Sequence, residues 1–474
     1  MFFRQITDPA LSQYAYLIGC QRTGEALLVD PERDIDRYDR IAADEGLRIT
    51  TVAETHIHAD FLSGAREYAA RGDVRLVLSA AGPADWQYDW AVGLTACLLV
   101  RDGDRFRVGN IDVEVRHTPG HTPEHIVFLV TDRGSDADSP MGVATGDFLF
   151  VGDVGRPDLL EAAAGVTGAM RPAALDLQGS LRHVAAWPEF MQIWPGHGAG
   201  SACGKALGAV PTSTVGYERR FNGALALSGE QPDAFVDAIL AGQPEPPPYF
   251  ARMKRLNREG APSLGIVPMP PRLSVAEVAG NPALVVIDTR EDRADFMTAH
   301  LPGSLYGPLP RHFTATLGAY VDADQSLVFL CEPHELDELV RQSVRIGFDK
   351  IHGWFTHADF ADWRHEGGAI ATIDRISFPE AAAASKVSTW LDVRGAGEFA
   401  ERHVEGALNI AQPRLAVDVE RIPRERPVTV HCATGGRAAL ASAYLQRLGY
   451  EVRYVDDDFA RWRQPAGPVG STPR

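Results

Sequence analysis

Short apolar runs, each closed by glycine, aspartate or proline, punctuate the first half of the chain. They include "EALLVDP" from Glu25, "IDVEVRHTPGH" from Ile111, "IVFLV" from Ile126 and "MGVATGDFLFVGD" from Met141. "IDVEVRH" alternates apolar and polar positions, whereas "IVFLV" is apolar throughout. Strict alternation puts one strand face against a core, and a short wholly apolar run is covered on both faces, so these segments predict strands of packed sheets. Residues 1–240 form this block. After it, "GQPEPPPYFARMKRLNREGAP" begins Pro-rich and turns basic. Proline stiffens a connection and resists helix, so 241–271 reads as an ordered linker between domains.

The remainder repeats itself. "VVIDTREDRADFMTAHLPGSL" recurs as "TWLDVRGAGEFAERHVEGALNI". In each copy an apolar strand ends in Asp-x-Arg, at Asp288 and Arg290, then at Asp392 and Arg394. Phe296, His300 and Gly303 in the first copy match Phe399, His403 and Gly406 in the second. A further pair follows, "SLVFLCEPHELDELVRQSVRIGF" and "PVTVHCATGGRAALASAYLQRLGY", each an apolar strand, a cysteine, a loop and a helical stretch ending in Gly-aromatic. Such duplication predicts two tandem α/β domains of parallel strands joined by helices, at 272–370 and 375–474.

Composition narrows the function. A chain of 474 residues implies two to four domains, and 45% hydrophobic with 23% charged residues is ordinary for a globular protein. A net charge of −17 with no prominent basic run argues against nucleic acid or an anionic membrane as partner. No apolar run approaches the ~18 residues of a membrane helix, and the N-terminal "MFFRQITDPALSQYAYLIG" lacks the pattern of a signal peptide. The cysteines, Cys20, Cys97, Cys203, Cys331 and Cys432, are odd in number and widely spaced, which suits free thiols in a reducing, cytoplasmic compartment. At this size a homo-oligomer is expected.

Candidate chemistry begins with "THIHADFLSG", which reads His56-x-His58-x-Asp60 followed by Phe61. His121 in "RHTPGHT", Asp147 in "GVATGDFLF" and His197 in "FMQIWPGHG" likewise lie where an apolar strand gives way to a loop, the way a rigid sheet presents a metal site. The ordered motifs H-x-H-x-D, T-P-G-H-T and T-G-D resemble the metallo-β-lactamase fold over residues 1–240. That resemblance implies an αββα sandwich with metal at one edge of two packed sheets. In the hydrolytic branch the residue after the motif aspartate binds a second metal, and Phe61 offers no donor, so a single ion is expected. A lone ion held by two histidines and one carboxylate is the non-haem Fe(II) arrangement. "FVGDVGRPDLL", with Arg156 and Asp158, resembles the Gly-Arg-x-Asp segment of persulfide dioxygenases within this fold. The resemblance implies one Fe(II) per chain on His56, His121 and Asp147, with His58, Asp60 and His197 around them. It also implies that Arg156 positions the substrate or the segment carrying it; a salt bridge to Asp158 is the alternative. Cys203, in a Gly-rich loop six residues after His197, could shuttle sulfur, contact substrate or simply fill the interior. Gly198, Ala199 and Gly200 stand where glutathione-using members place a tyrosine, so the carrier thiol stays open. "SACGKALGAVPTSTVGYE" resembles the dioxygenases fused to sulfurtransferase domains in bacterial sulfide detoxification.

The second constellation follows a strand: Cys432, Ala433, Thr434, Gly435, Gly436 and Arg437, then a helix. Glycines let consecutive N–H groups turn inward as an anion nest, and the helix start adds positive potential. A thiol at its centre is suited to accept sulfur and to stabilise the resulting persulfide. Cys-x4-Arg resembles rhodanese sulfurtransferases; tyrosine phosphatases carry Cys-x5-Arg. The first copy instead reads Cys331, Glu332, Pro333, His334, Glu335, Leu336, without the Gly-Gly pair or closing arginine. Its glutamates would repel an anion, which predicts a degenerate domain with a structural role.

The whole chain is therefore expected to be an α+β and α/β multidomain protein, a metallo-β-lactamase sandwich followed by two rhodanese-like domains. The implied activity oxidises a low-molecular-weight persulfide with O2 to sulfite and thiol, and passes sulfane sulfur through Cys432 to sulfite, giving thiosulfate, or runs that transfer in reverse. The competing expectations are a zinc-dependent thioester hydrolase of the glyoxalase II type with appended rhodanese domains, and a non-enzymatic sulfur carrier or redox sensor.

Overall fold

The computed structural model describes residues 1–162, 167–383 and 388–462, so the end assigned to the last domain, 463–474, lies outside the described residues. The chain divides into two compact units. The first is Met1–Val267 with Arg341–Gly347, and the second is Pro268–Val340 with Phe348–Arg474. Among the described residues no helix is long and apolar enough to cross a membrane, and all five cysteines are free.

The first unit contains two six-stranded sheets. One runs in chain order through Phe2–Asp8, Gln13–Cys20, Glu25–Val29, Arg48–Ala53, Arg75–Ser79 and Cys97–Val100. The other is ordered Ser213–Thr214, Gln192–Pro195, Gly142–Gly146, Ile126–Asp132, Ile111–His117 and Arg105–Val108. Side chains alternate across each strand, and the apolar pattern follows that alternation. Tyr16 and Ile18 meet Val113, Val115, Phe128 and Trp194 between the sheets. Their neighbours Ala15 and Leu17 face outward onto Tyr38 and Ala42 of the helix Asp36–Asp44. Val127 and Leu129 face outward on the other side, onto Leu177 and Leu181 of the helix Met170–Leu181 and Phe235 of the helix Pro232–Leu240. This is an αββα sandwich, and its doubly covered strands explain why Gln13–Cys20 is buried along its whole length.

The segment 241–271, read from the sequence as an ordered linker, contains a helix. Residues up to Val267 belong to the first unit, and Phe250–Glu259 is a helix that buries Phe250, Met253 and Asn257. Proline marks the stretches without helix on either side, Pro244–Pro248 before and Pro262–Pro271 after. Between them the i, i+3, i+7 spacing of those three residues supplies a buried stripe, ended by Gly260 at φ 101°.

The second unit holds two parallel sheets with the same order of strands. The first is Leu305–Tyr306, Leu284–Asp288, Ser326–Leu330 and Ile351–Phe355. The second is Leu408–Asn409, Thr389–Asp392, Val428–His431 and Val452–Val455, with Asp374–Ile376 added at its far edge. The internal repeat recurs in the contacts. Arg290 Nε and Nη2 donate to Asp288 at 2.9 and 2.6 Å, and Nη2 reaches the Ala299 carbonyl at 2.7 Å. Arg394 repeats all three distances with Asp392 and the Arg402 carbonyl. Phe296 stacks on His300, and Phe399 on His403, each with ring centroids 4.1 Å apart. Arg394 is the more buried of the two arginines and also lies over the Phe459 ring, 3.8 Å from its centroid.

Deleting one partner of a buried pair leaves a charge without compensation, at about 3–5 kcal/mol. Asp392→Ala should therefore lower the thermal unfolding temperature of the second unit clearly, and more than Asp288→Ala does. Calorimetric profiles unchanged in Asp392→Ala would refute this account of the repeat.

Candidate functional site

His56, His121 and Asp147 converge at one edge of the first unit, with donor atoms all within 4.8 Å of one another and every side chain buried. His56 follows the strand Arg48–Ala53, His121 the strand Ile111–His117, and Asp147 the strand Gly142–Gly146. The ring orientations follow from the hydrogen bonds. Thr55 Oγ1 donates its one proton to Asp30 Oδ2 at 2.8 Å, so toward His56 Nδ1, at 2.9 Å, it accepts. His121 Nδ1 donates to the Arg156 carbonyl at 3.1 Å. Both rings thereby keep the Nε2 lone pair for the cluster, and His121 Nε2 stands 3.5 Å from Asp147 Oδ2. Neither Asp147 oxygen has a hydrogen-bond partner of good geometry, although the Cys203 thiol lies close by. Burial pushes the pKa of His121 down to about 3 and, with the His rings beside it, that of His56 well below its usual value, so both imidazoles stay neutral. Glycine is required nearby, since a Cβ on Gly196 would lie 2.6 Å from Asp147 Oδ1.

A second buried group adjoins the first. Asp60, His197 and Cys203 also have donor atoms within 4.8 Å of one another. His197 Nε2 is 3.2 Å from Asp60 Oδ2 and 3.4 Å from Asp147 Oδ1, while Nδ1 donates to the Ser12 carbonyl at 3.2 Å. Burial, then the charges of Asp147 and Asp60, push the Cys203 thiol upward. His58 turns aside from both groups. Its Nε2 lies 3.2 Å from Asp30 and 3.1 Å from Glu54, and Phe61 packs on its ring at 4.3 Å. Burial alone would lower the His58 pKa, but the two carboxylates raise it well above the usual value.

The loop bearing these residues is held from a distance. Asn257 Nδ2 donates to the carbonyls of His58 and Phe61 at 2.8 and 2.7 Å, and its Oδ1 accepts from Ser63 N at 2.9 Å. Arg156 is 1% exposed; Nε donates to Asp158 at 2.9 Å and Nη1 to the Ala202 carbonyl at 2.8 Å. Its guanidinium therefore ties its own segment to the Cys203 loop, while its carbonyl orients His121.

In the second unit, Cys432 directly follows the strand Val428–His431 and the helix Gly436–Arg447 begins four residues later. Gly435, at φ 93°, turns its N–H onto Cys432 Sγ at 3.2 Å. Arg437 holds Glu398 through both Nη atoms, at 2.6 and 2.8 Å. The Ala433 carbonyl accepts from Phe459 N. The corresponding loop of the other repeat is built differently. There the Glu332 N–H is taken by Glu335 Oε2 at 2.7 Å. Cys331 is wholly buried, and burial followed by Glu335 and Glu332 pushes its thiol up to about 12.

Comparison with known proteins fits this division. The family model for the metallo-beta-lactamase superfamily matches residues 8–197, and that for the rhodanese-like domain matches 378–465. The chain is 39% identical to a crystallised metallo-beta-lactamase from Staphylococcus aureus subsp. aureus COL, covering 75% of this chain and 99% of that one with a TM-score of 0.67. The chain belongs to the metallo-β-lactamase superfamily. Its metallo-β-lactamase domain is followed by a rhodanese-like domain. It is also 27% identical over 250 residues to the mitochondrial persulfide dioxygenase ETHE1 of Bos taurus, covering 52% of this chain and 84% of that protein. For the Homo sapiens protein the identity is 28% over 233 residues, covering 49% and 78%.

The metallo-β-lactamase domain has donors suited to a metal. Two neutral imidazoles with free lone pairs and a carboxylate without a good hydrogen-bond partner, all buried, are groups a cation would satisfy. His56, His121, Asp147, Asp60, His197, Cys203 and Arg156 were each readable as candidates from the chain; several supporting residues were not. Thr55 and Asp30 orient His56, Glu54 claims His58, and Asn257 arrives from the supposed linker. Asp30 carried a signal, since it ends an apolar strand as the ligand-bearing residues do. Phe61 removes one possible ligand, but Cys203 sets a thiol against the same Asp60 and His197.

Removing the hydroxyl that fixes His56 should weaken metal retention. Thr55→Val is expected to lower metal affinity about 10–100-fold, read by chelator competition; unchanged affinity would show that the Asp30–Thr55–His56 chain has no such role. At pH 8, far below about 12, Cys331 should remain protonated and resist iodoacetamide in the folded chain, as peptide mass spectrometry can read. Rapid modification there would contradict the burial described.

Proposed function

We propose that this chain is a mononuclear non-haem iron persulfide dioxygenase joined to a sulfurtransferase. The observation that carries the reading is the buried His56–His121–Asp147 set, in a domain similar to persulfide dioxygenases and on the same chain as the Cys432 loop. The overall reaction at the first site is RSSH + O2 + H2O giving RSH, sulfite and two protons. Fe(II), when bound, supplies open coordination positions and redox chemistry that bring O2 and a persulfide sulfur together. His56, His121 and Asp147 would hold it. Thr55 and Asp30 keep His56 in the ligand tautomer, and the Arg156 carbonyl does the same for His121. Arg156 and Asn257 fix the two loops around the site, and burial keeps bulk water from the reacting sulfur. Cys203, beside Asp60 and His197, would meet the substrate sulfur.

At the second site Cys432 takes a sulfane sulfur and delivers it to sulfite, giving thiosulfate, or draws sulfur from thiosulfate in reverse. Ala433, Thr434, Gly435 and Gly436 form the backbone cradle for the anion, with Arg437 at its rim. Residues 272–370 are read as a degenerate rhodanese-like domain and those from 375 onward as the active one, with 1–240 the dioxygenase and 241–271 its helical extension and linker. Free thiols suit a reducing cytoplasm, and the substrates are small molecules.

One observation favours a second reading. The Asp60–His197–Cys203 group could complete a second metal position, as a zinc-dependent thioester hydrolase would need.

Metal analysis after anaerobic purification, with O2 uptake on several persulfides, separates the two. One iron per chain and O2 consumption yielding sulfite are expected. Two zinc ions with thioester hydrolysis would replace this reading by the second. Cys432→Ser should accumulate sulfite where the unaltered chain makes thiosulfate, and continued enzymatic thiosulfate formation would refute the role of Cys432.

A further inference from the structure

Among the described residues, arginines of the Cys432 repeat around its loop are paired with carboxylates of that same repeat. Its substrates in the proposed function are dianions, and binding them calls for cations facing the thiol. Arg437 is held through both Nη atoms by Glu398. Arg394 is buried against Asp392 and Phe459. Arg375, half exposed, lies 3.6 Å from Asp456 Oδ2.

A further guanidinium reaches the loop from the other repeat. Arg293 opens the helix Arg293–Thr298, directly after the Asp-x-Arg strand of the first copy. Its Nη2 donates to the Thr434 carbonyl at 3.0 Å and pairs with Asp456 Oδ1 at 2.8 Å. Its Cζ would lie 3.1 Å from a Cβ placed on Gly435. His312, from the helix Arg311–Tyr320 of the same repeat, stands with Cε1 and Nε2 both 3.6 Å from where a Cβ of Gly436 would be. Gly435 is thus closely surrounded, since a Cβ there would also lie 2.7 Å from Tyr454 Oη and 2.9 Å from Asp456 Oδ1. Cys432 is also within range of the Arg293 charge. The two contacts described use one nitrogen of a group with five N–H donors in a planar fork, which leaves other edges able to meet an oxyanion.

We propose that the Cys331 repeat completes the sulfur-transfer site of the Cys432 repeat: Arg293, with His312 beside it, forms an anion-binding wall that favours thiosulfate and sulfite over less charged sulfur donors. This rests on the sulfurtransferase reading given above. In the step concerned, the Cys432 thiolate attacks the outer sulfur of thiosulfate. A cysteine S–S bond forms, the bond to the sulfonate sulfur breaks, and sulfite leaves with that electron pair. Charge is conserved and no proton or external electron is needed. Arg293 binds the three oxygens of the sulfonate end before and after the transfer. A repeat that has lost its own anion cradle thus retains a use, as the wall of its neighbour's.

Steady-state transfer from thiosulfate and from a cysteine persulfide to cyanide tests this in the full chain. Arg293→Ala should raise KM for thiosulfate about tenfold, the effect of about 1.4 kcal/mol of binding, and change KM for the persulfide by less than twofold. Arg293→Lys should recover part of the loss, and added salt should weaken thiosulfate binding in the unaltered chain more than in Arg293→Ala. Asp456→Asn, which frees Arg293 from a competing carboxylate, should lower KM for thiosulfate. Equal losses with both donors would mark Arg293 as a structural clasp and overturn the proposal, as would an unchanged thiosulfate KM. If Arg293→Ala does not fold, Asp456→Asn decides, and no fall in KM there overturns it. Cys432→Ser run in parallel separates the two failures: full transfer in that variant defeats the sulfurtransferase reading, whereas a dead Cys432→Ser with an unaffected Arg293→Ala defeats only the role of Arg293.

Discussion

An ionisable side chain taken out of water must find a partner of fixed geometry or give up its charge, and the edge of the first unit is organised by that demand. His56, His121, Asp147, Asp60 and His197 are all at most 4% exposed. Each histidine among them spends Nδ1 on a neighbour that orients it: Thr55 for His56, the Arg156 carbonyl for His121 and the Ser12 carbonyl for His197. Asp30 stands behind this arrangement, accepting both the N–H and the hydroxyl of Thr55 while flanking His58. It does so from φ 49°, a conformation aspartate tolerates better than most residues, at the point where its strand turns into a loop. The strands carry the groups to one edge, and the hydrogen bonds behind them decide which atom of each group faces inward.

The second unit applies one frame twice with different outcomes. Both repeats close the first turn after the Asp-x-Arg strand with the same ion pair and stack the same Phe and His. The difference lies in where the N–H groups of the cysteine loop point. In one repeat a glycine N–H meets the thiol; in the other a glutamate side chain takes the N–H, and burial, then the charges of Glu335 and Glu332, raise the thiol pKa. A frame held by buried pairs tolerates such loop divergence, because the pairs lie outside the loop.

Much of this was legible in the chain. Strand ends announced His56, His121, Asp147 and His197, since an apolar run that stops at a polar residue marks where a sheet meets its edge. The internal repeat announced two sheets of one pattern, and the missing glycines and arginine marked the Cys331 loop as altered. Other features had no local trace. The 241–271 segment reads as a linker because its prolines dominate the composition, yet Asn257 inside it bonds to residues almost two hundred positions earlier. The Cys203 thiol beside Asp60 and His197 depends on how a Gly-rich loop folds back, and glycine-rich sequence leaves that path undetermined.

By itself the sequence determined the elements, the repeat and the types of reactive group, because burial periodicity and turn residues act over a few neighbouring positions. Only the tertiary structure decided which nitrogen each imidazole presents, that Arg156 is tied to Asp158 and the Ala202 carbonyl, and that Arg293 stands over the Cys432 loop. Those outcomes come from hydrogen bonds and ion pairs between residues distant along the chain, or from the local path of a loop, and neither is set by side-chain pattern alone.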